Sequence, residues 1–388
     1  MIAYNRKSLD NLAINEEAAV ALHHNLISQG EMAGIAKAYP VNLYSPNFFI
    51  RIGLFLLTAL IILMVFGLFC LMLVSSSEQS FGILTLMVAL LTYGGLEMLI
   101  HERNHYRSGI DDAMIWSSMV FLVATVNLLN DSVSFLGQSV LVFMLSTWYL
   151  LRFANQLMGC LAFIAFLGLV FYGLIPLGNM VKTIMPFLLM VISLVVYWLM
   201  KKYKNKDRLK HYKACCTLIE ILALLVLYVA GNYFVVREVS NSMFDLHLKE
   251  GDSIPGGWIF WILTVLIPPV YIFRGIQKRD GILLRSGLLL VAAIVFTVRY
   301  YYHFMPLELA ITIGGIIMIG VAYGITKYLT PPKHGFTHAE PNDPALGGWL
   351  QVESLVVVET FGDTKASSEE QFNFGGGSGG GAGAGGQY

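Results

Sequence analysis

Charge is what this sequence has least of. Only 13% of its 388 residues are Asp, Glu, Lys or Arg, about half the ~25% of an ordinary soluble domain. A chain that is 56% hydrophobic and so poorly charged cannot coat itself with polar surface, which excludes a single water-soluble globule. Cysteine is scarce too. Cys70 and Cys160 sit in apolar runs and Cys215-Cys216 beside a basic segment, a pattern that excludes a disulfide-stapled fold. Between Ser132 and Lys206 there is no Asp or Glu at all, so this stretch offers no carboxylate to acid–base or metal chemistry. The polar first 45 residues hold no short apolar core, so a cleavable signal peptide is not expected. Phosphate loops, dinucleotide fingerprints and a Ser-His-Asp order are missing. Nucleic acid is not an expected partner, because the one basic run is short and flanked by apolar segments.

What is present is a series of long apolar runs. A membrane-spanning helix needs ~20 apolar residues. Ten segments qualify: 50–74, 80–100, 112–129, 134–151, 155–176, 181–200, 214–236, 257–274, 282–302 and 306–328. The expected fold is therefore all-α, a polytopic transmembrane bundle of about ten spans with the lipid bilayer as its first partner. Orientation follows from the segment Lys201–Lys213, which holds seven of the 25 Lys and Arg residues. Cationic short loops stay on the cytoplasmic side. With this loop inside, both termini are cytoplasmic and 21 of the 25 cations fall inside, leaving Lys182, Arg237, Lys249 and Arg299 outside. Trp258, Trp261 and Tyr300-Tyr301-Tyr302 then fall at the external interface, where amphipathic rings prefer to sit.

Four regions follow: 1–46, a cytoplasmic helical hairpin; 47–329, the ten-helix domain; 330–372, a cytoplasmic tail; and 373–388, a flexible glycine-rich end. In the hairpin, Asn15-Glu16-Glu17 suits a helix start, with Ala18, Ala19, Leu22, Leu26 and Ile27 as its apolar face. Ser28 and Glu31 have capping-box spacing for a second helix reaching about Tyr39, before Pro40. The largest external loop covers about 237–256. Pro331-Pro332 stops the last helix, Trp349–Val352 and Leu355–Val358 suit a strand or two, and nine of the last sixteen residues are glycine, a tether composition.

Three features could carry chemistry. His101-Glu102-Arg103-Asn104-His105 fits H-E-x-x-H, which on one helix face binds zinc while the glutamate works on a metal-bound water. A third ligand is needed, and Asp111 is the candidate. The plainer alternative is an interfacial helix end, where His and Arg meet the negative end of the dipole and Gly109 supplies the stop. Next come charges inside the apolar runs, each costing ~2.5–3.5 kcal/mol or more unless partnered. Glu97, Glu220 and Arg285 lie at similar depth on the cytoplasmic side and could cluster, while Arg299 and Glu308 could pair near the external face. They are either a proton or ion path or structural pairs. Third, Pro268-Pro269 interrupts the eighth span, as in many transporter sites, or simply kinks it. Gly320 and Gly324 also form a G-x-x-x-G match for close helix packing.

The hairpin with Leu26-Ile27-Ser28-Gln29-Gly30-Glu31, running into Asn47-Phe48-Phe49-Ile50-Arg51-Ile52-Gly53, resembles a class of bacterial multi-pass membrane proteins catalogued as domains of unknown function. The segment Phe374–Gly383 resembles the glycine-rich tails of bacterial TPM-domain membrane proteins, although no TPM domain is present. These resemblances imply a bacterial cytoplasmic (inner) membrane location and bring no active site. The expectation is a non-catalytic scaffold or sensor whose termini bind another membrane or cytoplasmic protein, with no cofactor. The alternatives are a small-solute transporter and, with zinc as cofactor, a membrane protease using residues 101–105.

Overall fold

The computed structural model describes residues 2–23, 25–73, 77–130, 132–244, 254, 256–301 and 307–328. All lie in the first of two compact units, Met1–Ala345. The expected tail strands and glycine-rich end lie outside the described residues. Two helices lead the chain, α1 (Arg6–His23) and α2 (Gln29–Ala38), followed by α3 (Phe48–Met72), α4 (Glu78–Arg103), α5 (Ile110–Leu129), α6 (Phe135–Phe153) and α7 (Gln156–Leu174). The second half is α8 (Asn179–Tyr203), α9 (Lys213–Gly231), α10 (Tyr233–Phe244), α11 (Gly257–Lys278), α12 (Gly281–Tyr301) and α13 (Leu307–Tyr328). Among the described residues there is no strand, only an isolated bridge between Tyr44 and His105. Among the described residues nine helices are long and apolar enough to cross a membrane: α3 to α9, α11 and α12, as a multi-pass membrane protein requires. The tenth expected span is helical as α13 but is not among the nine.

Sequential antiparallel pairing organises the bundle: α4 on α5, α6 on α7, α8 on α9, α11 on α12. α9 is central, packed against α7, α8, α11 and α12, and buries Ala223 and Leu224 almost completely. α3 has no buried residue, and its Leu56, Leu60, Leu63 and Met64 side chains are more than half exposed, a surface suited to hydrocarbon. The two-residue connection between α6 and α7 works because Ala154 takes a left-handed turn (φ 48°) and Asn155 caps α7, its Oδ1 accepting from the amides of Leu157 and Met158.

Several expectations are corrected. α1 starts at Arg6, well before Asn15, because Asn5 Oδ1 accepts from the amides of Lys7 (3.0 Å) and Ser8 (3.4 Å). Asn15 instead ties the hairpin together, donating to the carbonyl of Tyr39 at 2.8 Å. Of the expected apolar face Ala18 is buried, while Leu26 is 73% exposed. The Ser28–Glu31 capping box forms as expected. Residues 214–236 are not one helix. At Asn232 the backbone becomes extended, and α10 follows where an external loop was expected. Asn232 makes the break affordable in a bundle, since Nδ2 donates to Tyr228 Oη and Thr297 Oγ1, and Thr264 Oγ1 accepts from the Tyr233 amide. Side chains thus replace the lost backbone bonds. The apolar run Tyr233–Val236 conceals this in the sequence. Conversely, α11 continues through Pro268 and Pro269. Gly320 and Gly324 have nothing within 4 Å of an added Cβ, so the G-x-x-x-G match is not a packing seam among the described residues.

The tightest backbone approach is between α3 and the α4–α5 turn. Gly109 has φ +90°, and a Cβ there would meet the Arg51 carbonyl oxygen at 2.0 Å. Gly109→Ala should therefore cost about 2 kcal/mol or more and lower the thermal midpoint in detergent by several degrees. Gly53→Ala, on α3 with open space around its Cα, should leave it unchanged or slightly raised. Equal midpoints for both variants would refute this packing.

Candidate functional site

The H-E-x-x-H residues do not form one face. α4 ends at Arg103, and Asn104, with φ 52° and ψ 33°, is its left-handed cap. Asn104 rather than Gly109 supplies the stop. His101 lies on the exposed last turn, whereas His105 is past the helix, its ring 4.9 Å from that of Tyr44. Tyr44 donates to the Asn104 carbonyl at 3.0 Å and accepts from the Tyr106 amide at 3.1 Å, so His105 is held in an isolated bridge beside Tyr44 rather than on the helix. Asp111 is 1% exposed and fully engaged. Its Oδ1 accepts from the amides of Ser108 (2.9 Å), Gly109 (3.1 Å) and Asp112 (3.0 Å) and from Ser108 Oγ (3.2 Å), and its Oδ2 from Tyr4 Oη at 3.5 Å. It organises the N-terminus of α5 as a carboxylate does at the positive end of a helix. Among the described residues no three His, Cys, Asp or Glu side chains are placed to hold a metal ion, so this residue set does not fit zinc.

The charged groups gather instead at one end, the basic end of the bundle, as helix-to-helix pairs. Arg51 at the start of α3 meets Asp112 at the start of α5 at 2.6 Å, and Asn155 Nδ2 donates to the other Asp112 oxygen at 2.8 Å. Glu97 accepts a two-pronged bond from Arg152 on α6 (2.8 and 2.7 Å). A line of donors continues along that seam, Tyr93 Oη to Glu97 at 3.1 Å and Trp148 Nε1 to Tyr93 at 3.2 Å. In the second half, Lys201 pairs with Asp280 and Lys204 Nζ with Glu220 Oε2 at 2.9 Å. Glu220 is completely buried, and its Oε1 has no partner among the described residues.

The expected cluster of Glu97, Glu220 and Arg285 therefore does not form. Glu220 finds its cation at the end of the preceding helix α8, and Glu97 finds its own at the end of α6. Among the described residues Arg285 Nη1 is buried without a hydrogen-bond partner, as is Arg299 Nε. The side chain of Glu308 lies outside the described residues. Arg51, Asp112, Arg152, Asn155, Lys204 and Tyr4 were not anticipated as site residues. The inside–outside charge split does place Arg51 beside Asp112 and Arg152 beside Glu97 at one interface, and that was the available signal.

The N-terminal hairpin is fastened over this end. The Ala3 amide donates to the Arg152 carbonyl at 2.8 Å. Tyr4 is buried edge-on to Tyr106, centroids 4.9 Å apart, and burial followed by the nearby Asp111 charge raises its hydroxyl well above the usual phenol value. Asp10 takes Lys210 at 2.8 Å and His211 at 3.5 Å from the basic loop.

Two measurements test these assignments. If Lys204–Glu220 is a structural pair, Lys204→Met alone should cost about 3 kcal/mol, while Lys204→Met/Glu220→Leu should be near neutral. A double variant as unstable as the single would refute that role. Burial, ahead of Arg103 and against Asp111, lowers the His105 pKa, and Nδ1 is buried without a partner among the described residues. The unfolded chain then binds a proton that the folded one refuses, so this contribution is complete above about pH 6.5 and is lost as pH falls through that value. Thermal midpoints should drop less between about pH 7.5 and about pH 5.5 in His105→Gln than in the wild type, and equal drops would contradict the assignment.

No family model, curated protein or solved structure matches the chain.

Proposed function

We propose that this chain is a multi-pass protein of the bacterial cytoplasmic membrane with no catalysis of its own, a scaffold or sensor that engages a partner through its N-terminal hairpin. In this reading residues 1–46 and the tail from 330 are cytoplasmic, and the basic end of the bundle faces the cytoplasm, as cation-rich short loops do. One observation carries it. Half of the hairpin is fastened to the bundle, through Ala3, Tyr4, Asp10 and Tyr44, while α2 buries no residue at all. A capped, ordered helix that packs on α1 yet buries none of its own residues is a surface held out for something else. The polar groups beneath it serve loop amides and ion pairs rather than an open catalytic constellation.

Small-solute transport is the second reading, favoured by the broken helix at Asn232 with Tyr228, Thr264 and Thr297 around it, since broken helices line many transporter sites. The two readings separate cleanly. A photoreactive residue at Ala33 or Ala36, both exposed on α2, should give one adduct of common mass in cells, with none from the fully buried Ala89. Absence of any α2 adduct, together with solute flux in reconstituted vesicles that Asn232→Ala abolishes, would replace the scaffold reading with the transporter.

A further inference from the structure

The seven cations of the basic segment are not equivalent. Lys201, Lys204 and Lys210 are taken by Asp280, Glu220 and Asp10. Lys202 and Lys206 are exposed and have no ion pair among the described residues. Both turn toward aromatic rings instead of outward. Lys202 Nζ lies 4.7 Å from the Trp198 ring centroid and 5.7 Å from that of Tyr203, and Lys206 Nζ lies 4.4 Å from Tyr203. Two ammonium groups thus converge on one tyrosine, with no carboxylate between them. The only acid in the segment, Asp207, is the exposed neighbour of Lys206. Trp198 is one turn before Lys202, 57% exposed on the apolar flank of α8, where Val191, Leu194 and Val195 are also about half exposed or more.

This corner combines three chemistries in their membrane order: an aliphatic flank for acyl chains, an interfacial indole and phenol, and a pair of uncompensated ammonium groups at headgroup height. Resting on the membrane reading above, we propose that Lys202 and Lys206, with Trp198 and Tyr203, form a binding site for the phosphate of an anionic phospholipid. A zwitterionic headgroup places its own cation near the two lysines and fits less well, whereas an anionic one leaves the phosphate free for them. Arg208, also exposed, adds to the same field.

The test is native mass spectrometry of the full chain in detergent with equimolar phosphatidylglycerol and phosphatidylcholine. The wild type should retain phosphatidylglycerol in preference, and Lys202→Gln/Lys206→Gln should weaken that retention roughly tenfold or more, as expected for two interfacial cations. Lys37→Gln, an exposed lysine on α2, should retain it fully. Excess inorganic phosphate should not displace the lipid, and displacement would mean a free-anion site and overturn the proposal. Equal retention of the two lipids by the wild type overturns it without reference to any variant, as does undiminished preference in the double variant. Resistance of the membrane-bound chain to carbonate extraction reports on the membrane reading separately, so failure of that reading and failure of the lipid site are distinct results.

Discussion

A charge placed below a membrane surface must be neutralised by a group close enough to water to be charged itself, and that constraint decides how these helices meet. Asp112, Glu97, Asp280 and Glu220 each sit at or within the basic end of the bundle, and each takes its cation from a different helix or its end. The carboxylates and their cations are too far apart in sequence for local helix pairing. Every one of these bonds therefore fixes a tertiary relation: α3 to α5, α4 to α6, the end of α8 to the α11–α12 turn, and α8 to α9. Hydrocarbon supplies little drive for one apolar helix to choose another. Ion pairs at a common depth, together with close backbone approaches such as Gly109 under Arg51, supply the choice.

The same pairs explain which parts of the fold were legible. Helix positions were, because length and hydropathy follow from the thickness of the hydrocarbon. The gathering of residues 103–109, 152–155 and 201–213 at one end was legible too, through the distribution of Lys and Arg. Helix rotation was not. Near-uniform hydrophobicity gives no reason to turn Glu97 toward Arg152 rather than toward Glu220, and only packing decides. The motif at 101–105 misled for a related cause. Its spacing carries meaning only while the helix lasts, and Asn104 in a left-handed conformation ends the helix inside the motif. Asn232 shows the opposite error, since a polar residue within an apolar run looked tolerable in a span and proved to be its end.

The strength of the hairpin's attachment bears on a sensing role. The Asp10–Lys210 pair is about half exposed, and such pairs contribute ~0–1 kcal/mol. The Ala3 hydrogen bond adds about 1 kcal/mol. The largest single contribution is the burial of Tyr4, about 2 kcal/mol for an aromatic ring. A few kcal/mol, opposed by the entropy of ordering the segment, leaves an attachment soft enough for the proposed partner of α2 to shift. The bundle beneath, with nine long helices and four interhelical ion pairs among the described residues, does not share that softness.

Within the basic segment, structure and surface chemistry are divided among neighbouring residues by helix geometry. Lys201 and Lys204 are three apart, share a face at the end of α8, and turn inward to Asp280 and Glu220. Lys202 lies about 100° away on the same helix and reaches the exposed indole of Trp198 four residues earlier. Replacing every lysine of this segment by an uncharged residue would therefore mix two effects. Loss at Lys201 and Lys204 leaves buried carboxylates unpaired and weakens the fold, whereas loss at Lys202 and Lys206 changes what the surface attracts. A charge count treats all seven as one topological signal, and their two faces separate only because the helix continues to Tyr203 before the chain turns.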